Sequence, residues 1–295
     1  MASIDAAADK PGEAAPDILL EPMPGPRPVE RLARVIGPLP PDWPANLLVA
    51  APVFLHPQAG TARDVAVVLA TFALFMLADA AVAVLRRPGL VARSAGAALL
   101  LLAVVVGLQL GRDVAATGGL FLAVQLCRGF WERRLPLLAV LLAGAAAAAR
   151  VDAGSLALGL AAGPYLLLVA AALGGFVAGG RARRTRALLR RGQRVRLPRR
   201  SEQLLDAVAA MLLCGTVAAN LALLGADPWI KRDGGAWAFL AVPFLLAALA
   251  RCVHLFFQEG TPAPRTSAVA DPWLVLAAIG WAATLTVALP LPPSL

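Results

Sequence analysis

The side chains that could do chemistry are few, and most sit in apolar surroundings. The 295 residues include 18 Asp and Glu, two histidines and three cysteines. His56 and His254 lie far apart, and Cys127, Cys214 and Cys252 have no paired spacing. No His- or Cys-based metal site is expected, and the cysteines read as small buried hydrophobes. There is no Ser-His-Asp set, no Cys-His pair and no phosphate-cradling glycine loop. Asp79 is the only acid placed squarely inside a long apolar run. A carboxylate in a bilayer is costly unless it is protonated, paired or hydrated. Asp79 is therefore either a cavity residue paired with an arginine entering the bundle, or a protonated or snorkelling residue near a span end. Asn46, at the start of the first apolar run, suits either a lipid phosphate or a helix cap. Arg251, toward the end of the eighth run, suits either a bidentate phosphate contact or snorkelling to the headgroups.

These residues have to be positioned by membrane-spanning helices. The chain is 59% hydrophobic and 15% charged, with a mean hydropathy of +0.74. That leaves too little polar surface for a water-soluble domain of this size. The apolar residues fall in long runs at 45–59, 64–85, 94–110, 115–131, 135–149, 154–178, 203–224, 236–257 and 272–292. Most of these runs approach or exceed the roughly 20 residues a helix needs to cross a bilayer. The expected fold is an all-α polytopic membrane bundle of about nine transmembrane helices. Gly159-x-x-x-Gly163 and Gly175-x-x-x-Gly179 on the sixth span would permit close packing, and Pro164 and Pro243 would kink their spans. Five of the six tryptophans fall near span ends, where indole rings favour the headgroup level.

Charge gives the orientation. Net charge is +9, and ten of the 27 Lys and Arg lie in Arg181–Arg200. No aromatic residue is interleaved among those arginines, so anionic headgroups are the expected partner and nucleic acid is not. With the N-terminus inside, alternation of nine spans puts 22 basic residues on the inner side. It leaves Arg63, Arg112, Arg150, Lys231 and Arg232 outside. Residues 1–42 lack the order of a signal peptide. They read as a cytoplasmic tail, disordered and in part interfacial, ahead of a transmembrane domain at 43–295. The expected location is the inner or plasma membrane, with the C-terminus outside.

Several short motifs, in order, resemble the UbiA superfamily of membrane prenyltransferases, in its decaprenyl-phosphate phosphoribosyltransferase branch. Trp43-Pro44-Ala45-Asn46-Leu47-Leu48-Val49 is similar to the family's opening Trp-x-Lys-Asn-Leu-Leu-Val. Trp131 with Arg133, Arg134, Leu135 and Pro136 resembles the loop before the fifth span, and Arg150-Val151 fits the far end of that span. Ser201 with Leu205-Asp206, Val242-Pro243-Phe244 followed by Arg251, and Asp271 ten residues before Trp281 complete the set. The resemblance implies nine spans, an active site open to the cytoplasm and a polyprenyl-phosphate substrate. Asn46, Asp79, Arg133, Arg134 and Arg251 are then candidate substrate-binding residues. The family also uses magnesium, held on an Asp-rich run at the end of the second span. Here that position reads Val84-Leu85-Arg86-Arg87-Pro88, the family's Tyr before the fifth span is Arg128, and the Asp within that span is Ala139. A hard dication needs carboxylates, so no metal is expected. The resulting expectation is a non-catalytic polyprenyl-phosphate-binding protein, or a partner of a membrane glycoconjugate enzyme or of its own copies. An active transferase with a divergent arginine-based site, and a small lipid carrier, are the alternatives.

Overall fold

Proline and glycine set most of the helix ends. The computed structural model describes residues 43–56, 61–87, 89–131, 135–192, 199–226, 230, 235–257 and 271–288. They fall in one compact unit, Pro40–Leu295, and every regular element among them is helical. The expected tail lies outside the described residues. A 3₁₀ helix, Trp43–Ala50, runs directly into α1, Ala51–Leu55. α2, Ala62–Leu85, starts on a capping box in which the Thr61 hydroxyl accepts from the Asp64 N–H and the Asp64 carboxylate accepts from the Thr61 N–H. α3, Leu90–Leu110, lies between Gly89 and Gly111, whose φ values of +119° and +131° suit only glycine. α4, Arg112–Trp131, follows Gly111 at once.

α5, Pro136–Ala157, α6, Pro164–Gly192, and α9, Pro272–Ala288, each begin on proline. There the missing N–H has no helical partner to lose and the fixed φ suits the first turn. α7 is Arg199–Ala226, and α8, Val242–Phe257, continues a second 3₁₀ helix, Gly235–Ala241. Among the described residues seven helices are long and apolar enough to cross a membrane: α2 to α5, the Pro164–Arg184 part of α6, the Gln203–Ala226 part of α7, and Trp237–Phe256. Large apolar side chains cover their outer faces; Leu101, Leu108, Leu120 and Leu141 are all well exposed. An apolar exterior of this kind requires lipid as solvent. The chain is a multi-pass helical membrane protein. Two shorter apolar helices, Pro44–Leu55 and Pro272–Val287, complete the set.

Several sequence expectations are corrected. α5 continues past 149 to Ala157, so Arg150 lies within a helix instead of in an outer loop. Residues 158–163 form the connection to α6. Gly159 sits there at φ +70°, and the Leu160 N–H bonds back to the Ser155 carbonyl as a helix end requires. Gly159 and Gly163 therefore lie outside the packed span, and Pro164 starts a helix without kinking one. Pro243 stands in the first turn of α8, where the 3₁₀ helix gives way to α. Gly175 and Gly179 do pack as expected: a side chain at Gly175 would meet Leu212 of α7 at 3.0 Å. Cys127 and Cys214 are exposed and Cys252 is half-buried. A thiol is apolar enough to face lipid.

Candidate functional site

The polar centre lies where the first 3₁₀ helix, α2, α4 and α5 meet. Phe75 and Asp79 stand one helical turn apart on α2, and Phe121 and Gln125 stand one turn apart on α4. The i, i+4 spacing stacks each pair on one helix face. The two faces meet. Phe75 and Phe121 pack edge to face with ring centroids 4.8 Å apart, and Gln125 donates its Nε2–H to Asp79 Oδ1 at 2.7 Å. Arg150 enters from α5 and donates Nη2–H to Asp79 Oδ2 at 3.1 Å and Nε–H to Asn46 Oδ1 at 2.5 Å. Its guanidinium carbon lies 4.5 Å from the centre of the Phe121 ring, a cation–π contact. Asn46 Nδ2 donates to Asp79 Oδ2 at 3.1 Å and lies 3.3 Å from the Met76 sulfur.

Asn46, Asp79, Gln125 and Arg150 are all buried. Each carboxylate oxygen of Asp79 accepts at least one hydrogen bond, and the opposite charge is in contact. Buried polar networks in an apolar medium are stable only when satisfied in this way. The first helix is brought in by Gly154 of α5, where any side chain would collide with the Val49 carbonyl.

A second feature caps this network at the shared end of α2 and α4. Gln125 accepts from two arginines: Arg128 Nη1 bonds its Oε1 at 3.2 Å, and Arg86 Nη2 bonds its backbone carbonyl at 3.2 Å. The Arg86 guanidinium lies against Gly129, where a Cβ would stand only 2.6 Å from its Cζ. Glycine at 129 is what lets the guanidinium lie on the backbone of α4. Two cations thus converge on one neutral residue, one on its side chain and one on its backbone carbonyl.

The remaining sequence candidates divide. Asn46 and Asp79 belong to the network, and the arginine foreseen as a partner for Asp79 is Arg150. Arg133 and Arg134 lie outside the described residues. Arg251 is remote from the network: its Nε and Nη2 donate to Asp271 Oδ2 at 3.0 and 2.8 Å, joining α8 to the start of α9. The other oxygen of Asp271 accepts from the Trp273 and Leu274 N–H groups and so caps α9. The Asp271 carboxyl is held below the usual carboxylate range, chiefly by the hydrogen bond from Arg251. Burial opposes this, and the two backbone N–H groups add to it. Within the basic stretch, Arg183 pairs with Asp206 of α7 at 2.6 Å, and Arg184 donates to the Leu255 carbonyl at 3.3 Å.

The sequence reading missed Gln125 as a site residue and placed Arg150 outside the bundle. The usable signals were a lone amide one turn from Phe121 in an apolar run, and the run of alanines leading straight into Arg150. The magnesium that the resemblance implies does not fit here. Asp79 has both oxygens engaged, the adjoining mouth is cationic, and no three of His, Cys, Asp and Glu group together among the described residues.

Fold and site together define a multi-pass helical membrane protein with a sealed ion pair in its core and an arginine pair at one end of it. No protein-family model matches the chain, and no curated protein matches it.

Proposed function

We propose that this chain is a UbiA-like protein that crosses the inner or plasma membrane nine times and binds a polyprenyl phosphate without transferring a group to it. It does so alone or beside a membrane glycoconjugate enzyme. The observation that carries this reading is the convergence of Arg86 and Arg128 on Gln125. Guanidinium matches phosphate oxygens in pairs, so two arginines at one end of α2 and α4 suit a phosphate. The resemblance puts magnesium-binding carboxylates at the end of the second span; this chain has Arg86 and Arg87 at that end of α2. The nearest buried carboxylate, Asp79, is already committed to Arg150.

Charge supports the orientation. With Arg150 withdrawn into the bundle, only Arg63, Arg112, Lys231 and Arg232 remain for the outer side against 22 basic residues for the inner. Nine crossings count the two shorter apolar helices as spans. The N-terminus is then cytoplasmic, the C-terminus outside, and the Arg181–Arg200 stretch faces anionic headgroups.

Mass spectrometry of gently purified protein tests the reading. A co-purifying polyprenyl phosphate, reduced in Arg86→Gln/Arg128→Gln, is the expected result, and a wild type free of phosphate lipids would refute it. Transfer from phosphoribosyl diphosphate to decaprenyl phosphate, with and without magnesium, tests the absence of catalysis. Loss of metal-held charge stabilisation typically lowers such a rate by about three orders of magnitude. Magnesium-dependent product from the wild type would restore the enzyme reading.

A further inference from the structure

The core ion pair and the arginine mouth share one side chain, and a carboxamide is not the same at its two ends. Its oxygen only accepts and its NH2 only donates. The two ends are nearly equal in size, so partners and not shape choose which way the amide lies. Gln125 of α4 is 5% exposed and has a partner at each end. Its Nε2 donates to Asp79 Oδ1 at 2.7 Å, and its Oε1 accepts from Arg128 Nη1 at 3.2 Å. Turned over, the same amide would set oxygen against a carboxylate and NH2 against a guanidinium. An ionised Asp79 offers only acceptors, so Gln125 has to donate to it. Arg86 is held differently, by the Gln125 backbone carbonyl, which a turn of the amide does not move.

We infer that Asp79 is a positioning residue for the arginine mouth: through Gln125 it presents an acceptor to Arg128 and so fixes where that guanidinium stands. The use of the guanidinium for a phosphate rests on the function proposed above; the orientation of the amide does not. Asp79→Asn isolates the effect because it keeps the shape of the side chain. Arg150 Nη2 and Asn46 Nδ2 both donate at 3.1 Å to one oxygen of Asp79. The oxygen of the substituted amide stays with those two donors, and its NH2 then faces Gln125. Gln125 has to turn its own oxygen inward and its NH2 toward Arg128. Adding Gln125→Glu restores an acceptor at both contacts.

Phenylglyoxal, an arginine reagent, tests this on the full chain in phosphatidylcholine nanodiscs, with and without decaprenyl phosphate. Mass spectrometry reads the modification rates of Arg86 and Arg128. In Asp79→Asn, Arg128 should react about three- to tenfold faster than in the wild type, the scale of one net hydrogen bond, while Arg86 keeps its rate. Asp79→Asn/Gln125→Glu should return Arg128 to its wild-type rate. General loosening of the bundle would instead speed both arginines. An unchanged Arg128, equal acceleration of both arginines, or a second substitution that restores nothing overturns the inference. If Asp79→Asn does not fold, Asp79→Asn/Arg150→Gln strands no charge and is read the same way. Decaprenyl phosphate should slow the reaction of Arg128 in the wild type and slow it less in Asp79→Asn; equal protection in both would detach the mouth from Asp79. A wild type indifferent to decaprenyl phosphate removes the phosphate reading, and the rates without it still decide the orientation.

Discussion

Asp79 of α2 and Arg150 of α5, 71 residues apart in sequence, meet at 3.1 Å with their side chains 5% and 3% exposed. The pair joins helices that the chain visits at different times, and Asn46 and Gln125 satisfy what the pair leaves open. Breaking a buried pair from one side strands a charge, whereas replacing both partners with apolar groups strands nothing. Asp79→Ala or Arg150→Ala is expected to cost about 3–5 kcal/mol of stability, read as a lowered melting temperature in detergent. Asp79→Leu/Arg150→Leu should recover most of the loss. Additive losses in the double variant would show that the two side chains act separately.

At the arginine mouth the discriminating change is Gly129→Val, which forces the Arg86 guanidinium off α4 without removing a charge. Retention of the protein on vesicles containing a polyprenyl phosphate should fall, while its melting temperature changes little. Raised salt should weaken wild-type retention as well, because exposed charges are screened. Retention that Gly129→Val leaves intact would separate Arg86 from the anion.

The Arg251–Asp271 clamp carries a pH signature. A carboxyl with a depressed folded-state pKa contributes stability above its unfolded pKa and loses it as pH falls through the folded value. The start of α9 should therefore stay docked at neutral pH and loosen only below about pH 4, the usual range for Asp. Hydrogen exchange at the Trp273 and Leu274 amides follows this directly. In Asp271→Asn those amides should exchange faster at neutral pH, and further acidification should change them little. A wild-type acid transition that survives unchanged in Asp271→Asn would assign it to another group.

Orientation is accessible in intact cells. A cysteine at Arg112 should react with a membrane-impermeant thiol reagent, and one at Arg191 should be shielded until the membrane is opened. The reverse pattern would invert the topology.

Much of the bundle was legible because apolar runs of bilayer length have few other uses, and each run overlaps a helix. The ends were less legible. Arginine at 150 reads as a stop signal when charge is assumed to seek water, and only a partner 71 residues away shows otherwise. Pro164 read as a kink for the same reason, since the turn made by Gly159 that releases the preceding helix cannot be seen in composition. Of the site, Asp79 and Asn46 stood out as polar residues in apolar runs. Gln125 carries no charge and drew no attention, although it connects the ion pair to Arg86 and Arg128. Arg251 was noticed but read as a phosphate contact or a snorkelling side chain, because Asp271 lies across a connection whose length gives no clue to its path.

The opening segment has a consequence for biogenesis. Eight residues of 3₁₀ helix and five of α-helix reach only about 23 Å, short of the roughly 30 Å hydrocarbon thickness. Asn46, at the start of its second turn, is bonded by Arg150, 104 residues downstream. At synthesis rates of about 5–20 residues per second, that partner emerges some 5–20 s after Asn46. This segment must therefore be sheltered by the insertion machinery, or wait at the interface, until α5, the fourth long helix, arrives. Its seating in the membrane is a late step in assembly, although it is made before the helices that hold it.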